Sequence, residues 1–352
     1  MSERRRIPIG TLWSMRIDVP YSLMVREGGL AWSCGQVPLD AEGRVLDPGD
    51  IVAQSRRLCT YVRDILGRVG LSPGTVGKLV AYHLGGASEA DAMVRTLREE
   101  LGESPLIVPV AVPHFYYDGM MLEADLFASA SKVSRKREIE REGVRVEAVE
   151  ADGLVWASVA AEDGEGACGR IVAALEAAGL NRDRLLSDHW FMSRPGNLGR
   201  GLSEAGLASD AGAAVRTAVA KAPCMGELTF AAAAVEVTSR EDEGLTIVTR
   251  RQGPFLWVSA REHGSADLVS QTHRIMAGIE AALLGLGLSF REVVKSTTHY
   301  VAGNSEEELH DNMEVRNARY DRPGPASTGI PVAGLGEAGS LTAVDVLALE
   351  RA

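Results

Sequence analysis

Apolar residues recur along the chain in three matching blocks. Strand-like runs centred on Trp32, Trp156 and Trp257 (LAWSC, LVWASVA, FLWVSA) each follow a turn at Glu27-Gly28-Gly29, Asp152-Gly153 or Gln252-Gly253. The runs before those turns (RIDVPYSLMV, VRVEAVE, LTIVTR) are again alternating or apolar, and two such runs around a Gly turn predict a β-hairpin. Helical spacing follows, at Leu58, Val62, Ile65, Leu66 and Val69 in the first block and at Ile275, Ile279, Leu283 and Leu286 in the third. Each helix closes on Gly-Leu: Gly70-Leu71, Gly179-Leu180 and Gly287-Leu288. A β-rich run comes next (VGKLVAYHL, LLSDHWFMS, VVKSTTHYV), then a second helical segment, clearest in the outer blocks, and one or two closing strands such as MMLEADLFA and LTAVDVLAL. Every block therefore reads ββαβαββ.

The first and third blocks keep register, since Gln54, Gly70 and Lys78 lie 217 residues before Gln271, Gly287 and Lys295. A repeat of this kind sets the domain count before any fold is assigned. Three units are expected, at 1–133, 143–239 and 244–352, joined at the charged stretches 134–142 and 238–244, which read as solvated linkers. Unit two is the reduced copy, with 23 positions from Trp156 to Gly179 against 38 and 30 in units one and three.

Composition narrows the function classes. With 352 residues, 45% apolar and 24% charged, the chain has the balance of a globular protein, and no run approaches the ~18 apolar residues of a membrane span. A net charge of −11 argues against nucleic-acid partners, because counterion release rewards basic surfaces. Cys34, Cys59, Cys168 and Cys224 show neither CxxC spacing nor a paired His motif, so no zinc site or disulfide framework is indicated. MSERRRIPIG lacks a following apolar segment, which with the cysteine usage points to the cytoplasm. Gly329 and Gly334-Leu335-Gly336 form no phosphate loop, and no cofactor is implied.

Several segments together resemble the Rid (YjgF, reactive-intermediate deaminase) family. Val19-Pro20-Tyr21-Ser22 is similar to its PYS entry segment, and Ala31 through Asp40 to its SGQ-[IV]-P strand and loop. Asn312 to Tyr320 followed by Pro325-Ala326-Ser327-Thr328-Gly329-Ile330 resembles its Asn-containing helix and PARS-type strand. The resemblance implies an α+β, chorismate-mutase-like fold that ordinarily trimerises with sheets inward and helices outward, binding small ligands between subunits. Three units in one chain would make a monomeric pseudotrimer, with further dimerisation open.

The resemblance also implies site residues, and here the chain departs from the pattern. The family's deaminases hold a substrate carboxylate with an arginine in the PARS-type segment, a role that suits a planar guanidinium. That position is Ser327 in unit three, falls in Pro105-Leu106-Ile107 in unit one and in Lys221-Ala222-Pro223-Cys224 in unit two. Weak activity on ordinary amino-acid-derived imines would follow, unless Arg316, Arg319 or Arg322 approaches from another direction. The family's water-positioning acid aligns with Asp125 and Asp345, and with the alanine run 231–234 in unit two. The SGQ serine becomes Cys34, Ser158 and Ser259, making Cys34 a candidate nucleophile and Ser259 a candidate contact. Tyr21, Asn312, Arg316, Ser327, Thr328 and Gly329 complete the candidate binding set, with Ser327, Thr328 and the backbone at Gly329 placed to hold an oxyanion. His83, His189 and His299 recur on one strand, which favours packing over catalysis; His114 sits in an aromatic cluster.

These readings point to a hydrolase or deaminase acting on a small carbonyl-, imine- or enol-containing metabolite at one or two inter-unit clefts, to be sought among the clefts that touch units one and three, with the working cleft left open. A chorismatase-like enol-ether hydrolase and a non-catalytic binding module are the alternatives. The Ser-Lys pair per unit of the cyanuric acid hydrolase and barbiturase group is not repeated: Lys78 and Lys295 recur, but unit two has Ser187.

Overall fold

The computed structural model describes residues 4–131, 133–134, 136–162, 164–193, 196–208, 214–216, 223–264, 267–301 and 305–350. Unit one comprises β1 (Arg5–Pro8), β2 (Ser22–Glu27), β3 (Leu30–Ser33), α1 (Ile51–Arg68), β4 (Val76–His83), α2 (Ala87–Leu101), β5 (Leu106–Ala111) and β6 (Leu122–Ser129). Unit two follows with β7 (Arg137–Arg141), β8 (Val144–Ala151), β9 (Leu154–Ala161), α3 (Ala167–Ala177), β10 (Leu185–Met192), α4 (Gly196–Glu204), β11 (Ala214–Arg216) and β12 (Cys224–Ala231). Unit three has β13 (Glu236–Asp242), β14 (Leu245–Gln252), β15 (Phe255–Glu262), α5 (Leu268–Gly285), β16 (Val293–Tyr300), α6 (Glu306–Asn317), β17 (Ala326–Pro331), β18 (Gly334–Leu335) and β19 (Thr342–Leu349).

Each unit forms one sheet with the same strand order, β1-β2-β3-β6-β4-β5 in unit one and β13-β14-β15-β19-β16-β17 in unit three. The sheet of unit two is β18-β11-β10-β12-β9-β8-β7, so unit three lends it β18 as an edge. The α+β, chorismate-mutase-like architecture is thus present three times. Units one and two each have one strand more than the hydrophobic pattern predicted, and unit three has two more, β13 and the short β18. The charged stretches at 134–142 and 238–244 are not linkers: they contain β7 and part of β13, paired residue for residue with β8 and β14. Every residue of β13 is exposed, so an edge strand with both faces in water leaves no apolar alternation to read.

The recurring motifs have local causes. Gly70, Gly179 and Gly287 take left-handed φ values of +73°, +72° and +75°, which only glycine adopts freely. The next amide, on Leu71, Leu180 or Leu288, donates back to Leu66, Leu175 or Leu283 at 2.8, 2.9 and 2.9 Å, closing each helix. Asp50 caps the start of α1 by accepting from the amides of Val52 and Ala53. The stripe on α1 is buried as predicted, and so are Ile275, Ile279 and Leu283 on α5; Leu286, past the last turn, is instead 38% exposed. Gln54 and Gln271 are used alike. Each donates to a glycine carbonyl (Gly119, Gly339) and accepts the amide of Met121 or Leu341, both at 2.8 Å, fixing the approach to the last strand.

Trp32, Trp156 and Trp257 pair with Phe127, Thr229 and Leu347 on the last strands and are all buried. They join one apolar cluster drawn from all three units, and the Trp156 ring lies where a Cβ on Gly77 of unit one would be. The tryptophans therefore mark contacts between units. Buried ion pairs tie the same surfaces, Lys78 to Glu227 between units one and two, and Lys295 to Asp125 (2.7 Å) between units three and one.

Candidate functional site

Strand register fixes which residues correspond. On the last strands, Asp125 faces Val80, Glu227 faces His189 and Asp345 faces Thr297. The acid of unit two is therefore Glu227, not the alanine run 231–234, so all three units keep an acid there. Two residues earlier, on the same side of the pleat, stand Glu123, Met225 and Ala343. On the outer parallel strand, Ser327 pairs with Ser296 and Ile107 with Leu79, as expected; the matching strand of unit two is β11, not 221–224. Lys221 and Ala222 lie outside the described residues.

A cleft opens between units one and three. Unit one contributes Tyr21, Gly35, Tyr116 and Glu123, and unit three Tyr300, Arg316, Ser327 and Gly329. Trp13, Met15, Phe115, Met120 and Met313 make the rest largely apolar. Glu123 occupies space that only glycine leaves, because a Cβ on Gly35 would stand 1.7 Å from its Oε1. Burial, then the charge of Asp125, pushes the Glu123 carboxyl up to about 8, with Lys295 acting in the opposite direction. At neutral pH it carries a proton, and just above neutrality it is a base.

Arg316 faces the cleft from α6 rather than from β17. It is buried, and its hydrogen bonds go to neutral groups: Nε donates to Asn312 Oδ1 (3.0 Å) and Nη1 to Thr298 Oγ1 (3.1 Å). Its Nη2 stands 3.3 Å from where a Cβ on Gly329 would be, so that glycine keeps the guanidinium uncovered. No carboxylate pairs with it among the described residues. Arg319 and Arg322, in contrast, are held by Glu280 and Asp18. The hydroxyls of Tyr21, Tyr116 and Tyr300 are buried without a partner in good hydrogen-bond geometry; Tyr21 lies toward Ser327, and Tyr116 stacks on Tyr300 at 6.1 Å.

Of the candidates from sequence, Tyr21, Arg316, Ser327 and Gly329 meet in this cleft. Asn312 stands behind Arg316 and also donates to Thr272 Oγ1 at 2.7 Å. Thr328 turns inward to Lys295 Nζ (2.6 Å) and Asp125, whose carboxylate is thereby occupied. Cys34 is 1% exposed, bonded to Gly35 O and Gln36 Nε2, and burial drives its thiol far above the usual range, so it is no nucleophile. Asp345 and Ser259 belong to the contact of units two and three, with Asp345 Oδ2 3.3 Å from His189 Nε2. Burial alone would lower the His189 pKa, but Asp345 and Glu227 raise it to about 10; burial holds that of His299 down to about 3. His114 packs edge-on against Tyr116, and His83 approaches the carbonyl of Leu84. Sequence reasoning missed Glu123, although its neighbour Gly35 stands in the SGQ-like segment.

A stretch of 110 residues, 31% of the chain, is 31% identical to a RutC family protein of Pyrococcus abyssi and spans 85% of that protein. The solved structure of a chorismatase matches 78% of this chain and 93% of its own, with a TM-score of 0.52 and 10% identity, a likeness of fold. The E. coli YjgF gene product matches 36% of this chain over 99% of its own, at 21% identity and a TM-score of 0.31. No family model matches the chain. No helix among the described residues is long and apolar enough to cross a membrane.

Proposed function

This chain belongs to the RutC family, and on that premise we propose that it hydrolyses the C=N bond of a small 2-imino acid or its enamine tautomer in the cleft between units one and three. The observation that carries the reading is the pairing, across one apolar cleft, of a proton-holding carboxyl, Glu123, with a buried guanidinium, Arg316, whose partners are all neutral. A buried cation is costly without a counter-charge, and a substrate carboxylate supplies one in bidentate form. In this reading Arg316 supplies from α6 the guanidinium that Ser327 cannot supply from β17, and the wild type is expected to turn over ordinary imino acids.

The protonated Glu123 first gives its proton to the imine nitrogen. The carboxylate then takes a proton from water as the water oxygen bonds to the imine carbon. Next, the carboxyl protonates the amine nitrogen and recovers the hydroxyl proton as the C–N bond breaks. Imine plus water becomes 2-oxo acid plus ammonia, with Glu123 protonated at the end as at the start. The hydroxyls of Tyr21 and Ser327 would orient water and amine, and the aromatic and Met side chains would take the substrate's apolar group.

The fold likeness to a chorismatase supports a second reading, an enol-ether hydrolase, which the lining of this cleft favours less. A substrate with two carboxylates would need more cations than the single guanidinium lining this cleft. The test is hydrolysis of an imino acid generated in situ by an amino-acid oxidase, followed as 2-oxo acid formed. Wild type should accelerate it, and Glu123→Gln should lose on the order of 10²–10⁴-fold; equal rates with and without the protein would leave only a binding module. We also propose a cytoplasmic protein that is its own trimer. Gel filtration should give a 37.5 kDa species or its dimer, and a trimer of chains would refute this.

A further inference from the structure

The three contacts between units obey a cyclic rule that fails once. The last-strand acid of unit two, Glu227, receives Lys78 from unit one, and that of unit one, Asp125, receives Lys295 from unit three. By register, Lys78, Ser187 and Lys295 are equivalent, facing Phe127, Thr229 and Leu347. By the same rule unit two would bring Ser187 toward Asp345, the acid of unit three, and a serine is shorter than a lysine and carries no charge. Around Asp345 stand instead His189 of β10, in unit two, and His299 of β16, in unit three.

Asp345 is 4% exposed, and both its carboxylate oxygens are buried without a hydrogen bond of good geometry. His189 Nε2 and His299 Nε2 are in the same condition. The rings lie 5.3 Å apart, and one ligand atom from each of the three residues falls within 4.8 Å of the others. On its far side His189 Nδ1 meets Glu227 Oε2 at 2.6 Å, the carboxylate-histidine arrangement that fixes a ligating tautomer. Ser259 Oγ, a further buried oxygen without a hydrogen bond of good geometry, leans toward Asp345 across the strand pair. Arg261 Nη2, at 4.0 Å from Asp345 Oδ1, reaches only the limit of an ion pair.

We propose that His189, His299 and Asp345 bind a divalent transition-metal ion, of the kind zinc or cobalt represents, in the place that lysine ammonium groups fill at the other two contacts. Two imidazoles and a carboxylate suit such ions, and bonds of about 2.0–2.2 Å ask the ligand atoms to draw together by about 1 Å. A metal entering here bridges β10 of unit two to β16 and β19 of unit three and so fastens the two units. Its role is to hold the units together; it lies apart from Glu123 and Arg316.

The test uses the full chain stripped of metal and titrated with Co2+. The expected result is one Co2+ per chain, with the visible absorption of low-coordinate cobalt and a raised Tm. His299→Gln should abolish the absorption. Ser187→Lys, which restores the missing ammonium, should fold with a Tm at least equal to that of metal-free wild type and take up no cobalt. A wild type with neither absorption nor Tm shift would overturn the proposal and leave His189 and Arg261 as the groups that face Asp345. Cobalt uptake unchanged in Ser187→Lys would overturn it equally.

Discussion

The cleft between units one and three and the cleft between units one and two are built from equivalent strands, yet they differ at every position that matters for chemistry. The first presents Glu123, Ser327, Gly329 and Arg316. The second presents Met225 where the acid would be and Ile107 and Pro109 on the outer strand, with Arg95, Arg98, Glu99, Glu103, Arg145 and Glu147 lining its mouth. Where units two and three meet, Ala343 replaces the acid. Among the described residues, the acid position two before the inward ring is Glu123 in the first cleft and Met225 or Ala343 in the others. The inward ring carries an acid in all three units, Asp125, Glu227 and Asp345, and two of these acids pair with a lysine of a neighbouring unit.

The contrast between the clefts is most vulnerable to substitution at Glu123. Glu123→Gln should lower imine turnover by on the order of 10²–10⁴-fold, whereas Met225→Leu in the second cleft should leave it within a few-fold. Gly35→Ala should approach the same loss, because the new methyl group claims the space of the carboxyl; steady-state kinetics reads both. Next in size is the inward ring. Lys295→Met strands Asp125 among buried groups and should cost about 3–5 kcal/mol in denaturant unfolding. Arg316→Gln should weaken binding of a 2-oxo acid by roughly 10- to 150-fold, the worth of a charge-assisted hydrogen bond of about 1.5–3 kcal/mol, while Arg319→Gln on the same helix margin changes little.

A further change is in pH dependence. Folded Glu123 keeps its proton to about pH 8, whereas the ordinary value for a glutamate is 4.5. Between those values the folded chain holds the additional proton, so this group's contribution falls as pH rises through the window and levels off above 8. Glu123→Gln should remove that slope from unfolding measurements and erase the limb near pH 8 from the kcat/KM profile.

Much of the fold was legible, and the reasons lie in particular residues. Three buried tryptophans and three left-handed glycines repeat because each unit needs the same contact and the same helix stop. The edge strands β7 and β13 were not legible, since they face water and read as charge runs. The site was half legible. Glu123 and Asp125 share one face of β6, and a period of two cannot say which acid opens to the cleft and which meets Lys295. Glu227 escapes a linear alignment, which puts Ala231 to Ala234 in its place; only the pairing with β10 restores the register. The role of Arg316 depends on how α6 packs beside β17, a tertiary fact with no local signal.

Three equivalent units offer three clefts, but only the one between units one and three carries both Glu123 and Arg316. Calorimetric titration of the intact chain with phenylpyruvate, a 2-oxo acid with an aromatic group, counts the clefts that accept a carboxylate. One site per chain is expected, weakened roughly 10- to 150-fold in Arg316→Gln and retained in Glu123→Gln. Three sites per chain, or one site indifferent to Arg316→Gln, would contradict the assignment of a single working cleft.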